Sequence, residues 1–140
     1  MTFTRNALIA GLGLGLLAAC EDAGQRAVST LAPGSTYAIT RIDGSPAPDG
    51  VTFEVGEDGR VSGAGPCNRY SGQLTHQGEV MTIGGVVMTR RACLDAERNT
   101  AETRLSTALG VVTGVKPSED RSTVALIDAE GRERILLQPR

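Results

Sequence analysis

Tryptophan is absent from this sequence, and only Phe3, Tyr37, Phe53 and Tyr70 carry an aromatic ring. Sites that grip sugars or stack nucleobases use more rings than that, so both ligand classes are disfavoured. The core must be built from Val, Ile, Leu and Met instead. Lysine is nearly absent as well: Lys116 stands alone among 14 cations, and the formal net charge is -2. Such a chain has no broad basic surface with which to neutralise phosphates, which argues against nucleic acid as a partner. No apolar run reaches the roughly 20 residues that a membrane-spanning helix needs. Histidine occurs once, at His76, and cysteine three times.

The longest apolar run, Ala7 to Ala19, follows a single positive charge, Arg5. A basic start, a short apolar stretch and small residues at its end describe a secretory signal peptide. The segment closes on Leu17-Ala18-Ala19-Cys20 and then meets two acids, Glu21 and Asp22. This ending resembles a bacterial lipobox, in which the cysteine is acylated on sulfur and the chain is cut just before it. At about 0.8 kcal/mol per buried CH₂, one acyl chain holds a protein marginally and several hold it firmly. The reading assigns residues 1–19 to a lipoprotein signal peptide and residues 20–34 to a lipidated start and polar tether. A single domain of ordinary size then occupies residues 35–140. Glu21 in place of aspartate after the cysteine directs it, by the common sorting rule, to the periplasmic face of the outer membrane. The Gly11, Gly13, Gly15 repeat lies in the discarded segment and is not a nucleotide loop.

Export places the domain in an oxidising compartment. With Cys20 taken by lipid, Cys67 and Cys93 remain as an even pair and are expected to form a disulfide. In a chain-entropy model a loop of that length contributes roughly 3.5 kcal/mol.

From Ser35 the pattern is β. "TYAITRID" places Tyr37 and Ile39 on one face, and "GSPAPDG" at 44–50 is rich in turn formers. "VTFEV" alternates, with Val51, Phe53 and Val55 inward, and "RVSGAG" follows to make a hairpin. A second hairpin joins "GQLTH" to "VMTIGG", and "VVMTR" at 86–90 reads as a further short strand. "DAERNTAETRLSTALGVV" predicts a helix that Asp95 caps and Gly110 ends. Its buried face would be Ala101, Leu105, Ala108, Leu109 and Val112. A last hairpin runs from "STVALID" to "RERILLQ", with Val124, Leu126, Ile135 and Leu137 inward. Hairpin loops this short impose antiparallel neighbours. The expected fold is mainly β, of the α+β class: an antiparallel, partly closed sheet or small barrel with one packed α-helix.

Residues that carry chemistry are sparse. His76 sits in a hairpin and reads as a solvated residue. No cysteine and histidine spacing for zinc is present. Ser62 and Ser71 lack any surrounding nucleophile motif. Asp43, Asp49, Glu54, Glu57 and Asp58 are scattered over loops and outward strand faces, and no calcium loop is present. No metal, cofactor or catalytic residue is therefore expected. If the Cys67–Cys93 link forms, Arg69, Arg90 and Arg91 come together beside it as a small basic patch able to hold an anionic group.

The segment at 59–109 resembles the META domain of heat-shock-associated bacterial lipoproteins of the HslJ type. The likeness rests on a G-x-x-G-C-N-x-y-x-G loop, here Gly63, Gly65, Cys67, Asn68, Tyr70 and Gly72. It continues in a threonine-led run from Thr89 to Cys93 and a helix glutamate, Glu102. The opening "TYAITRIDGSPAP" is similar to the family's first strand and turn, with Tyr37 where tryptophan is common, and the resemblance covers about residues 36–138. Pro66 departs from the pattern, standing where glycine directly precedes the cysteine, and it removes a backbone donor. The resemblance implies a small β-rich fold with one helix, export and an envelope stress role, and no known reaction.

The expected function is that of a lipid-anchored, non-catalytic, monomeric envelope protein whose partners are the membrane and an envelope protein. The alternative is a small lipoprotein inhibitor or binding module acting on a periplasmic enzyme, with loop 44–50 as its plug. A hydrolase ranks last.

Overall fold

The computed structural model describes residues 31–140. Strands β1 (Thr36–Ile42), β2 (Ser45–Pro46), β3 (Thr52–Val55), β4 (Arg60–Ala64), β5 (Arg69–Gln77) and β6 (Val80–Met88) come first. Helix α1 (Ala96–Val111) follows, and then β7 (Gly114–Pro117), β8 (Val124–Ile127) and β9 (Glu133–Pro139). All pairings are antiparallel, in the order β6-β5-β4-β3-β1-β9-β8-β7, with β2 an extra partner of β1. The sheet curls until its two ends touch, where the Met81 N–H donates to the Thr113 carbonyl at 3.0 Å. The result is a mainly β, partly closed antiparallel sheet with one helix packed on β1, β6 and β9.

The alternation read from the sequence holds in the strands that fill the core. Phe53, Val61, Leu126, Ile135 and Leu137 are wholly buried, with Val55 and Val124 nearly so. Full burial of one such side chain contributes about 1.5–3 kcal/mol. Tyr37 and Phe53 are cross-strand partners whose rings meet edge to face, with centroids 6.4 Å apart. In β1 the period breaks: the register against β9 slips between Ile39 and Arg41. This bulge lets both Ile39 and Ile42 point inward, three residues apart, while Arg41 stays outside and pairs with Glu133.

Helix α1 starts as expected, the Asp95 carboxylate accepting the N–H groups of Glu97 and Arg98 at 2.9 and 3.0 Å. Its inner face is Ala101, Leu105, Ala108 and Leu109, together with Glu102. Thr100, Thr103 and Thr107 turn their hydroxyls back onto carbonyls one turn earlier, which makes the outer face polar without disturbing the helix.

Three expectations are corrected, and one strand was not foreseen. Gly110 does not end the helix, which runs through Val111; Val112 turns extended because the next residue, Thr113, donates its N–H to Ile127 of β8. Residues 86–90 are not a separate strand: β6 continues to Met88 across a bulge, where Gly85 takes a φ of +60°. The tether assigned to 20–34 overlaps the folded part, since Leu31 is buried and the Gly34 N–H donates to the Val55 carbonyl at 2.7 Å. Strand β7 had no counterpart in the sequence reading. The signal peptide and Cys20 lie outside the described residues.

Candidate functional site

Residues 65–68 form the tip between β4 and β5, and each of its backbone N–H groups has a partner. Gly65 closes the tip through its N–H on the Asn68 carbonyl, 2.6 Å away. The Pro66 carbonyl accepts the Arg98 Nε–H at 2.7 Å. The N–H groups of Cys67 and Asn68 both donate to Oε2 of Glu102, at 2.7 and 3.3 Å. Pro66 therefore removes a donor from the one position that contributes only an acceptor. A carboxylate bonded by two amides is a strong, charge-assisted arrangement. Glu102 Oε2 is committed to it, while its other oxygen, Oε1, is buried without a partner.

The tip is tied to the 89–93 segment by two further devices. Cys67 and Cys93 are joined in a disulfide with Cα atoms 5.7 Å apart. The Asn68 Oδ1 accepts both the Thr89 hydroxyl at 3.0 Å and the Arg91 N–H at 2.7 Å. Thr89 in turn accepts the Arg69 N–H at 3.1 Å. Hairpin tip, connecting segment and helix thus form one braced unit.

Two glycines of the motif are required by close approach. A Cβ on Gly63 would lie 2.1 Å from the Thr52 carbonyl oxygen, and one on Gly65 would lie 2.6 Å from the Asn68 carbonyl oxygen. The Tyr70 hydroxyl, 2.8 Å from the same Gly63 Cβ position, adds to the crowding and donates to that Thr52 carbonyl at 2.7 Å. Burial pushes the Tyr70 phenol far above its ordinary pKa, and the nearby Glu54 adds to the rise. The phenol stays protonated and serves as a fixed donor. Gly63 lies in β4, and Tyr70 and Gly72 lie in β5, so the motif is a strand, a tip and a strand.

Beside the tip lies an open groove of about 630 Å³, between residues 88–92 and one side of α1. Arg90 and Arg91 line it and Arg69 does not, so two of the three expected basic residues meet there. All three are exposed, and none forms an ion pair with a described residue. His76 is exposed on β5, next to the Gly78–Glu79 turn. Among the described residues no group of three His, Cys, Asp or Glu could hold a metal ion. Nor is any described helix long and apolar enough to cross a membrane.

Arg98 was not singled out in the sequence, although it stands four residues before Glu102 on the same helix face. That spacing was the available signal that both side chains reach the tip. Also unforeseen was a second polar centre in the β8–β9 turn. Asp128, only 4 % exposed, accepts the Arg132 Nε–H at 2.9 Å and the Arg132 backbone N–H at 3.0 Å. Arg134 links this turn to Asp43 at 2.7 Å. Burial alone would raise the Asp128 pKa, but the Arg132 backbone and guanidinium outweigh it and hold the carboxyl below its usual range.

A family model described as the META domain matches residues 29–140. The chain belongs to the META-domain family. The cysteines, Asn68 and Glu102 that carried the resemblance are residues that brace this META domain's tip. Two solved structures share the fold. One is described as the NMR structure of a protein from Burkholderia xenovorans, with a TM-score of 0.60 and 18% identity, covering 99% of this chain and 97% of that one. The other, titled only as the NMR structure of a protein, has a TM-score of 0.57 and 21% identity over 77% of this chain and 90% of that one. No curated protein matches the chain significantly.

Proposed function

We propose that this META-domain protein is a non-catalytic lipoprotein of the bacterial envelope, held by Cys20 to the periplasmic face of the outer membrane, and that it supports tolerance of envelope stress. The observation that carries the non-catalytic reading is the internal use of the motif's chemistry. Both thiols are in a disulfide, the Asn68 side-chain Oδ1 is taken by Thr89 and Arg91, and Glu102 Oε2 is bonded to backbone amides. Catalysis needs a positioned acid, base, nucleophile or metal, and these groups are committed to holding the fold together. The anchoring reading is supported by the Leu17–Cys20 sequence after a short apolar run.

The alternative, a binding module acting on an envelope enzyme, is favoured by the groove beside the tip rather than by loop 44–50. That loop is tied down: Ser45 and Pro46 pair with β1, and the Ala47 N–H donates to the Thr40 carbonyl at 2.9 Å.

The test is complementation of a gene deletion in the native host. Deletion should weaken tolerance of heat or envelope-active compounds, and the wild-type gene should restore it. His76→Ala should restore it equally, and Cys20→Ser should not. A folded, abundant His76→Ala protein that fails to complement would overturn the non-catalytic reading, as would turnover of generic ester, amide or glycoside substrates by purified protein.

A further inference from the structure

The groove beside the tip presents donors and an acceptor that the fold leaves unused. Arg90 and Arg91 project from one wall without an ion pair among the described residues. Ser106, on the helix wall, has a hydroxyl with no described partner. Glu102 also lines the groove; it is 9 % exposed, and its Oε1 is buried with no hydrogen-bond partner. Met88, half-buried, and Ala92 add apolar surface.

These groups restrict what can fit. A bare anion with no proton of its own, such as acetate, would meet the arginines but also the buried Glu102 carboxylate, which repels it. A bare cation would satisfy Glu102 and be repelled by two guanidinium groups. A ligand that suits both carries an N–H donor a few bonds from a negative charge. An acylated α-amino acid has that pattern, with its amide N–H and its carboxylate on the same carbon.

We propose that the groove binds the carboxyl-terminal unit of a peptide. The terminal carboxylate lies on Arg90 and Arg91, with Ser106 as a neutral donor on the opposite wall. The terminal amide N–H donates to Glu102 Oε1, and a small side chain rests on Met88 and Ala92. Because Oε1 is closed off from solvent, engagement needs a local side-chain shift. The site goes beyond the envelope role proposed above and does not depend on how the chain is anchored.

The experiment is a titration of the isotope-labelled full-length chain in detergent, followed by its backbone amide NMR signals. The probes are N-acetyl-alanyl-alanine, its carboxyl-terminal amide, N-acetylalanine and sodium acetate. The free-acid dipeptide should shift the Arg91, Ala92 and Ser106 signals saturably, and the amidated dipeptide should not. The Arg90→Ala/Arg91→Ala double variant, which alters only exposed side chains, should weaken binding by about tenfold or more. Glu102→Gln, which keeps an oxygen for the tip amides, should also weaken it. Equal binding of N-acetylalanine assigns recognition to the acylamino acid unit, and tighter binding of the dipeptide assigns it to a peptide end; either supports the site. Equal binding of the amidated dipeptide, the same shifts at the same affinity from acetate, or no saturation at millimolar concentrations would overturn it.

Discussion

Glu102 of α1 and Cys67 of the β4–β5 tip are joined by a 2.7 Å hydrogen bond from the Cys67 N–H to Oε2 of the carboxylate. The same cysteine is bonded through sulfur to Cys93, two residues before the helix cap Asp95. The tip is therefore held to the helix by a buried carboxylate near its middle and a covalent link near its start, with the Arg98 guanidinium on the Pro66 carbonyl as a third tie. Each restraint places the groups that the others need.

Glu102→Ala should destabilise the protein by about 2–3 kcal/mol, the scale for losing hydrogen bonds to a charged group and leaving buried donors unmet. Chemical denaturation of the oxidised protein measures it. A loss below about 0.5 kcal/mol, the level of an ordinary surface change, would contradict the bracing role.

Replacing the disulfide through Cys67→Ser/Cys93→Ser should cost roughly 3.5 kcal/mol on the chain-entropy model. Because both restraints act on one tip, the triple variant with Glu102→Ala should depart from additivity by about 0.5 kcal/mol or more. Strict additivity in a double-mutant cycle would show that the two restraints act independently.

Gly63→Ala forces a methyl group to within 2.1 Å of the Thr52 carbonyl and beside the Tyr70 hydroxyl. The strand must shift or Tyr70 must leave, at a cost of about 3 kcal/mol. Thermal melting of this variant beside Gly110→Ala, whose added methyl meets nothing within 4 Å, isolates the steric effect.

Much of this architecture was legible because core strands and helix obey simple periods. Phe53, Val124, Leu126, Ile135 and Leu137 fall at every second position of their strands, and Leu105 and Leu109 recur at helical spacing. The bulge in β1 was not legible, since nothing in Thr40 announces the slip that buries Ile42. Strand β7 escaped because Gly114 and Pro117 bracket four residues whose extended state comes from pairing with β8 rather than from their own propensity. At the tip, the family pattern identified Asn68, Cys67 and Glu102, but not that Glu102 faces backbone amides. That contact joins residues 35 apart in sequence and leaves no local periodic trace. The Asp128 turn was hidden for a similar reason, since its charges look like solvated surface until Arg132 folds back over them.

Asp128 supplies a pH prediction. Its folded-state pKa is lowered, against the opposing effect of burial, by the Arg132 backbone and guanidinium. The stability it contributes is complete above its unfolded value of about 3.9 and is lost as pH falls through the folded value. Asp120 has the same sign, its carboxyl held down to about 2 by the hydroxyl of Ser118 and then by Ser122. Asp128→Asn should melt below wild type near neutral pH, and the gap should narrow on acidification from about pH 4 towards pH 2. A constant gap across that window would assign the effect to packing rather than charge.

The central claim, an envelope protein held in place by lipid at Cys20, is tested most directly by the intact mass of the protein extracted from membranes of its native host. The account predicts a chain that begins at Cys20 and carries added acyl mass, and that partitions into the detergent phase. It also predicts that Cys20→Ser accumulates as precursor or leaves the detergent phase. A mature chain with an unmodified Cys20, or a Cys20→Ser protein that is matured and still membrane-bound, would contradict it.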